Sequence, residues 1–554
     1  MLSELSASRR FNSAFTDFTD EIGPSGSGMM LLLLFCLFLP CAVQNAAAQV
    51  NVTTHHNDTY RTGQNTAETI LTPANVNVNT FGKLFIQVVD GDVYAQPLYL
   101  ANVTIPKKGR HNVVYVATSH DSIYAFDADT NAGGKALPLW KVSFLKGSGL
   151  TSVTSTDVNC TDMLEMGITS TPVIDTTTGT MYALSVVKNK GVVQQWLHAL
   201  DVTSGAEKFG GPVAIAASVP GTGDGSVGGV LTFDSLHDRQ RPSLLLENGS
   251  IYIGWASYCD QDPWHGWVMA YRASNLHQQG VWNSTPDGGR GGVWQGGAGI
   301  GGDSAGNVYV ATGNGTFDND VSGRDFGDST AKLELTGSGL GLVDYFTPYN
   351  QLSLELGDVD IGSSGVLLIP DLPSNSAYQH LMIQTGKEGS VYVVNRDDMG
   401  GFNSGNNNEI VQFLPTVVGG VGGVGAYWNN YVYISGAFDR LRSFTFNPST
   451  GLLATTSTRS STFFRVPGST PSISANGTTN GIVWAIQADG TGPGGVSILH
   501  AYDATNVATE LFNSTQNAAR DGLTVANKFA TPSITNGKVY VGSQKALTVF
   551  GVLP

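Results

Sequence analysis

Charge is scarce in this chain. Only 13% of its 554 residues are Asp, Glu, Lys or Arg, and the basic ones are outnumbered 29 to 44. A net charge of −15 with no basic patch argues against a nucleic-acid partner, whose phosphates need a positive face. Long amphipathic helical patterns are missing as well, and a parallel α/β sheet cannot be wound without a helical crossover between its strands. No H-E-x-x-H, phosphate loop or zinc-type C-x-x-C spacing occurs. Cysteine is limited to four residues. Cys36 and Cys41 fall in an N-terminal apolar run, so a processed chain keeps only Cys160 and Cys259. An even pair in an exported protein reads as a disulfide, because neither cysteine has a resolving partner nearby in sequence.

The apolar run, residues 30–43, is short for a membrane span. Ala46-Ala47-Ala48 before Gln49 has the small-residue character of a cleavage site. We read residues 1–48 as an N-terminal extension and signal peptide cleaved near Ala48, with an uncleaved anchor as the alternative. The protein is then secreted or periplasmic, with no membrane span once the leader is removed.

What the chain has in abundance is glycine, 69 residues, and short β-branched or aromatic runs. An aromatic-centred strand recurs eight times: VVYVATS, TMYALSV, SIYIGWA, NVYVATG, HLMIQTG, YVYISGA, IVWAIQA and KVYVGSQ. Their central residues are Tyr115, Tyr182, Tyr252, Tyr309, Met382, Tyr433, Trp484 and Tyr540. A third strand usually follows and ends in an acidic or turn residue, as in SIYAFDADT and ILHAYDAT. A lone small sheet cannot bury both faces, whereas radial stacking of such sheets can. This predicts an all-β fold, an eight-bladed β-propeller of four-stranded antiparallel blades spanning residues 83–554, with residues 49–82 packed on it. The blades are expected at 91–147, 168–218, 240–285, 292–350, 361–416, 420–466, 470–515 and 528–552. The last has only three strands, at Ala530–Ile534, Lys538–Ser543 and Ala546–Val552, with an Asn536-Gly537 hairpin turn. Its missing fourth is expected from the N-terminal side, Lys83–Asp90, closing the ring.

The pattern VYVATSHDSIYAFDADT resembles the repeat of pyrroloquinoline-quinone (PQQ) binding propellers, and eight units match the quinoprotein alcohol dehydrogenase-like superfamily. The resemblance implies PQQ near the ring axis over a calcium ion, with an aspartate as catalytic base. Trp294-Gln295-Gly296-Gly297 is similar to the family's W-x-G-G segment, and the strand ending at Asn314 is similar to its G-T-G-N. By that match Trp294 is a cofactor-binding residue, Asn314 a cofactor-binding and metal-ligating one, and Asp328 in Gly327-Asp328-Ser329 both the base and a metal residue. The chain departs from the family in lacking its adjacent-cysteine disulfide, the tryptophan platform near Gly299–Gly302, the glutamate metal ligand and a haem-binding C-x-x-C-H.

Two further constellations stand out. Asp318-Asn319-Asp320-Val321-Ser322-Gly323 opens like a calcium loop, making Asp318 and Asp320 candidate metal ligands, although position twelve is Ser329 rather than glutamate. A solvated acidic loop is the alternative. His265, between Trp264 and Gly266-Trp267, sets an ionisable group among aromatics, as cofactor or sugar pockets do. Together these features read as an exported PQQ-like propeller acting as a binding or scaffold module, with catalysis reduced or lost. Its partner would be a small molecule, a glycan or a protein at the propeller mouth. The alternatives are a PQQ- and calcium-dependent alcohol or sugar dehydrogenase and a calcium-dependent carbohydrate or cell-surface binding protein.

Overall fold

The repeated strand pairs fold into small antiparallel sheets because each alternates a packed face with tight Asx- or Gly-bearing turns. The computed structural model of the chain describes residues 49–147, 149–489 and 495–554. The leader read at the N-terminus lies outside them. The described residues contain eight propeller sheets. Blade 1 runs from the axis outward as Leu98–Ile105, Gly109–Ala117, Ser122–Asp127 and Trp140–Ser143. The following blades repeat this order, with inner strands Val173–Asp175, Leu245–Glu247, Gly301–Gly302, Leu367–Leu368, Ala426–Trp428, Ser472–Asn476 and Ser533–Thr535.

In blade 8 the Asn536-Gly537 turn has positive φ at both residues, 52° and 78°, as its hairpin requires. The outermost strand of that blade is Phe81–Val88, antiparallel to Ala546–Val552. It begins two residues earlier than the hydrophobic pattern marks, because Phe81 is buried against Trp484, Phe512 and Phe550. The inner strand begins at Ser533 rather than Ala530.

Successive blades share apolar cores: Tyr433 and Trp428 with Ile473 and Val483, Trp484 and Phe512 with Val539 and Phe550, and Tyr540 and Leu547 with Leu98 and Tyr115. In four of the eight blades the repeat's central tyrosine also fastens one blade to the next. Tyr115, Tyr182, Tyr433 and Tyr540 donate to the carbonyls of Val202, Ala273, Ala504 and Ala128 respectively, at 2.8–3.2 Å. Each acceptor follows the third strand of the neighbouring blade, so the tyrosine and the strand-ending acidic or turn motif are two halves of one joint.

Inner strands of a propeller present unpaired N–H and C=O groups to the axis, and buried backbone groups need partners. Residues 50–63 supply them in one circuit. Val50 bonds to Asn536 of blade 8, and Val52 exchanges bonds with Tyr99 of blade 1. The carbonyls of Thr53, Thr59, Tyr60, Thr62 and Gly63 accept from Ile174, Gly302, Leu368, Tyr427 and Ile473, in blades 2, 4, 5, 6 and 7. Blade 3 is reached by Arg61, which donates to Leu244 O (3.3 Å), Ile300 O (2.8 Å) and the segment's own Thr54 Oγ1 and His55 O (2.7 Å each). Arg61 has no exposed surface.

Replacing Arg61 with Ala would strand these carbonyls in the interior. We expect a loss of about 3–5 kcal/mol, read as a lower urea midpoint, with Arg61→Lys recovering only part because it lacks the planar fork.

Candidate active site at the axial cavity

One face of the propeller carries the loop that enters each inner strand and the loop joining second to third strands. Together these line an axial cavity of about 470 Å³. The entry loops of blades 2, 3, 5 and 8 contribute Asp162, Arg241, Asp360 and Phe529, and the second-to-third loops of blades 3, 4 and 5 contribute Asp260, Asn314 and Lys387. The glycine-rich entries of blades 4 and 6 form a wall so tight that a Cβ on Gly296, at φ 55°, would lie 1.5 Å from Gly422 O. Glycine is obligatory there. A Cβ on Gly299 would strike the Arg61 guanidinium, which places the axial segment against the same turn.

The electrostatics divide into two halves. On one side Asp162 pairs with Arg239 at 3.2 Å and with Lys528. Burial alone would raise its carboxyl, but Arg239, Arg241 and Lys528 overcome that and hold it well below the usual range. Arg241 lies 4.7 Å above the Phe529 ring, and its guanidinium donates no hydrogen bond among the described residues. Burial and the neighbouring Arg239 bring it down to about 10. On the other side Lys387 pairs with Asp358 (2.6 Å) and Asp360 (2.7 Å), which raise its pKa against the effect of burial.

Trp294 and Asn314 both line the cavity. Trp294 meets Trp264 edge-on at 6.1 Å, and the Asn314 side chain makes no hydrogen bond among the described residues. Asp328 is fully buried behind this wall, at φ 49°, its N–H donating to Gly313 O. Among the described residues neither carboxylate oxygen has a hydrogen-bond partner. Burial, with Asp360 and Glu355 adding repulsion, pushes this carboxyl well above the usual range. His265 is buried away from the cavity, its ring nitrogens engaged by Thr285 Oγ1 (3.0 Å) and Asp224 O (2.8 Å). Asp318 and Asp320 belong to a separate loop, where Asp318 accepts from the Asp325 N–H at 2.8 Å and Asp320 is exposed. Thus Trp294, Asn314 and, behind them, Asp328 come together, while His265, Asp318 and Asp320 stand apart.

Cys160 and Cys259 form a disulfide. It ties the entry loop bearing Asp162 to the loop bearing Asp260. No helix among the described residues is long and apolar enough to cross a membrane.

PQQ is a flat tricarboxylate, and the cavity's volume, its Trp294 and Phe529 walls and the Arg241 guanidinium over Phe529 fit such an anion. Calcium takes six to eight oxygens, and no three acidic, histidine or cysteine side chains converge among the described residues. Arg241, Lys387, Asp360, Phe529 and Asp162 carry no local motif. Superimposing the repeats at their two loop positions is the signal that would have found them.

Two outcomes follow. Replacing both cysteines with Ser opens a closed loop of 99 residues, costing about 4–5 kcal/mol by chain entropy, measurable as a lower urea midpoint. A carboxyl whose folded pKa is raised favours folding fully only below the ordinary carboxylate range, and that contribution is lost as pH rises towards the folded value. Asp328→Asn removes this loss, so its urea midpoint should exceed the parent's by a margin that is larger at pH 8 than at pH 5.

No protein-family model matches the chain, and no curated protein matches it in sequence. Solved structures do. The quinohemoprotein alcohol dehydrogenase ADHIIG of Pseudomonas putida HK5 is similar over 91% of this chain and 80% of its own, with a TM-score of 0.58 and 13% identity. A europium-containing methanol dehydrogenase is similar over 90% of this chain and 98% of its own, with a TM-score of 0.55 and 11% identity. The chain shares with these quinohemoprotein alcohol and methanol dehydrogenases the fold of an eight-bladed β-propeller.

Proposed function

We propose that this protein is an exported binding module whose axial cavity takes a flat organic anion, with catalysis reduced or lost. The observation that carries the reading is Arg241. Its guanidinium sits over Phe529 at the cavity wall without a hydrogen-bond donation among the described residues, and a buried cation without such partners is stabilised by an anionic ligand. Lys528 and Lys387 add positive charge but are neutralised by Asp162, Asp358 and Asp360. Export rests on the leader-like N-terminus and on the disulfide, which persists in an oxidising compartment.

A second reading, a PQQ-dependent alcohol or sugar dehydrogenase, is favoured by one feature. Asp328, at the position the family resemblance gives to the base, keeps both oxygens unpartnered. A polar group left so at a stability cost is characteristic of functional sites. In that reading the quinone supplies the hydride acceptor, and Asp328, once ionised, takes the hydroxyl proton of the alcohol at a carboxylate oxygen.

Titration with PQQ, with and without calcium, should quench tryptophan fluorescence through Trp294, and Arg241→Gln should weaken binding about tenfold or more. Absence of quenching with PQQ and with aromatic carboxylates alike would overturn the binding reading. Dye reduction with small alcohols or aldose sugars that disappears in Asp328→Asn would replace it with the dehydrogenase.

A further inference from the structure

A separate cavity of about 230 Å³ lies at the seam between blades 1 and 2 and shares no residue with the axial one. Its apolar walls include Phe144, Leu150, Val187 and Pro212. Into it face Ser185 and His198, which lie on neighbouring strands of blade 2. Ser185 Oγ is 2.9 Å from His198 Nε2, and His198 Nδ1 is 2.5 Å from Glu207 Oε1. The Glu207 carboxylate fixes the tautomer: Nδ1–H donates to it, leaving the Nε2 lone pair to accept the serine hydroxyl. Phe144 stacks on the imidazole at 3.6 Å and 17°, holding the ring in that plane. Nucleophile, base and orienter are therefore within hydrogen-bond reach beside a pocket.

We infer that this seam is an active site, independent of the axial cavity, that hydrolyses small carboxylic esters. Ser185 Oγ bonds to the ester carbonyl carbon while its proton passes to His198 Nε2. The C–O bond to the alcohol then breaks, and the leaving oxygen takes that proton. Water, deprotonated by His198, cleaves the acyl-serine to release the acid and restore the hydroxyl. Because Ser185 stands within a paired strand, donors to the developing oxyanion come from side chains. The Trp196 indole, directly opposite Ser185, and the Gln194 amide line the same pocket, and neither donates a hydrogen bond among the described residues. Glu207 is a positioning residue.

Blade 7 provides an internal comparison. There His500 and Glu510 form the same pair at 2.6 Å, but Gln487 occupies the serine's place. The histidine–carboxylate pair thus belongs to the repeat, and the nucleophile and pocket are particular to blade 2.

The full-length protein should be treated with a small fluorophosphonate and assayed on p-nitrophenyl butyrate. The expected result is one phosphonyl adduct, mapped to Ser185, and hydrolysis that falls at least 100-fold in Ser185→Ala and in His198→Gln. Glu207→Gln should displace the pH–rate profile, and Glu207→Asp should restore part of it. Should His198→Gln fail to fold, Ser185→Cys keeps a nucleophile, and its alkylation by iodoacetamide at pH 7 should outpace that of an exposed reference thiol. Hydrolysis unchanged in Ser185→Ala, an adduct elsewhere only, or alkylation of the Ser185→Cys variant no faster than that of the reference thiol would each overturn the proposal. Loss of PQQ binding bears only on the axial cavity, so the two sites fail separately.

Discussion

The axial segment, residues 50–63, is the constraint on which the other features rest. A ring of sheets has eight inner edges pointing at one another across a narrow space, each with backbone groups that neither water nor a ninth strand can satisfy. One circuit of turning chain, with Arg61 spanning the step to blade 3, meets that requirement. It also sets the separation of opposing blades. Where the glycine-rich turns of blades 4 and 6 approach within a Cβ's width, the segment beneath allows no slack.

Around this hub, blade-to-blade cohesion is built from the repeat itself. At Tyr115, Tyr182, Tyr433 and Tyr540 the central tyrosine places an aromatic body in the seam and a hydroxyl on the end of the next blade's third strand, while Tyr309 bonds to Asp303 of its own blade. Where the position is Trp484 the body is kept and the bond turns inward to Ser474, within its own blade. Met382 keeps only the packing, in the core shared by blades 4 and 5. Drift at these positions is tolerated because apolar burial, rather than the single hydrogen bond, supplies most of the cohesion.

The sites occupy places where this regular scheme is relaxed. Asp328 is held at a left-handed φ with a carboxyl that has no hydrogen-bond partner among the described residues, and the Arg241 guanidinium lies over the Phe529 ring, whereas the buried Arg61 and Arg396 are well bonded. At the seam of blades 1 and 2 an ordinary cross-strand histidine–glutamate pair gains a serine and a cavity. In both cases the fold provides rigid strands, and the chemistry sits on loops or on one side-chain pair facing a cavity between blades.

The strands, their number and the partners Cys160 and Cys259 were legible in the sequence, because strand periodicity, Asn-Gly turns and repeat spacing are local properties. So was the neighbourhood of Trp294, Asn314 and Asp328, which share one stretch of chain. The composition of the cavity was not. Arg241, Lys387 and Phe529 come from three blades and are neighbours only once the ring is closed. His265 looked like a pocket residue among its tryptophans, yet backbone and hydroxyl groups from other loops occupy both its nitrogens. The residues alone determined what each blade would be; which side chains face one another across the axis was decided by circular closure, since that brings together groups hundreds of residues apart.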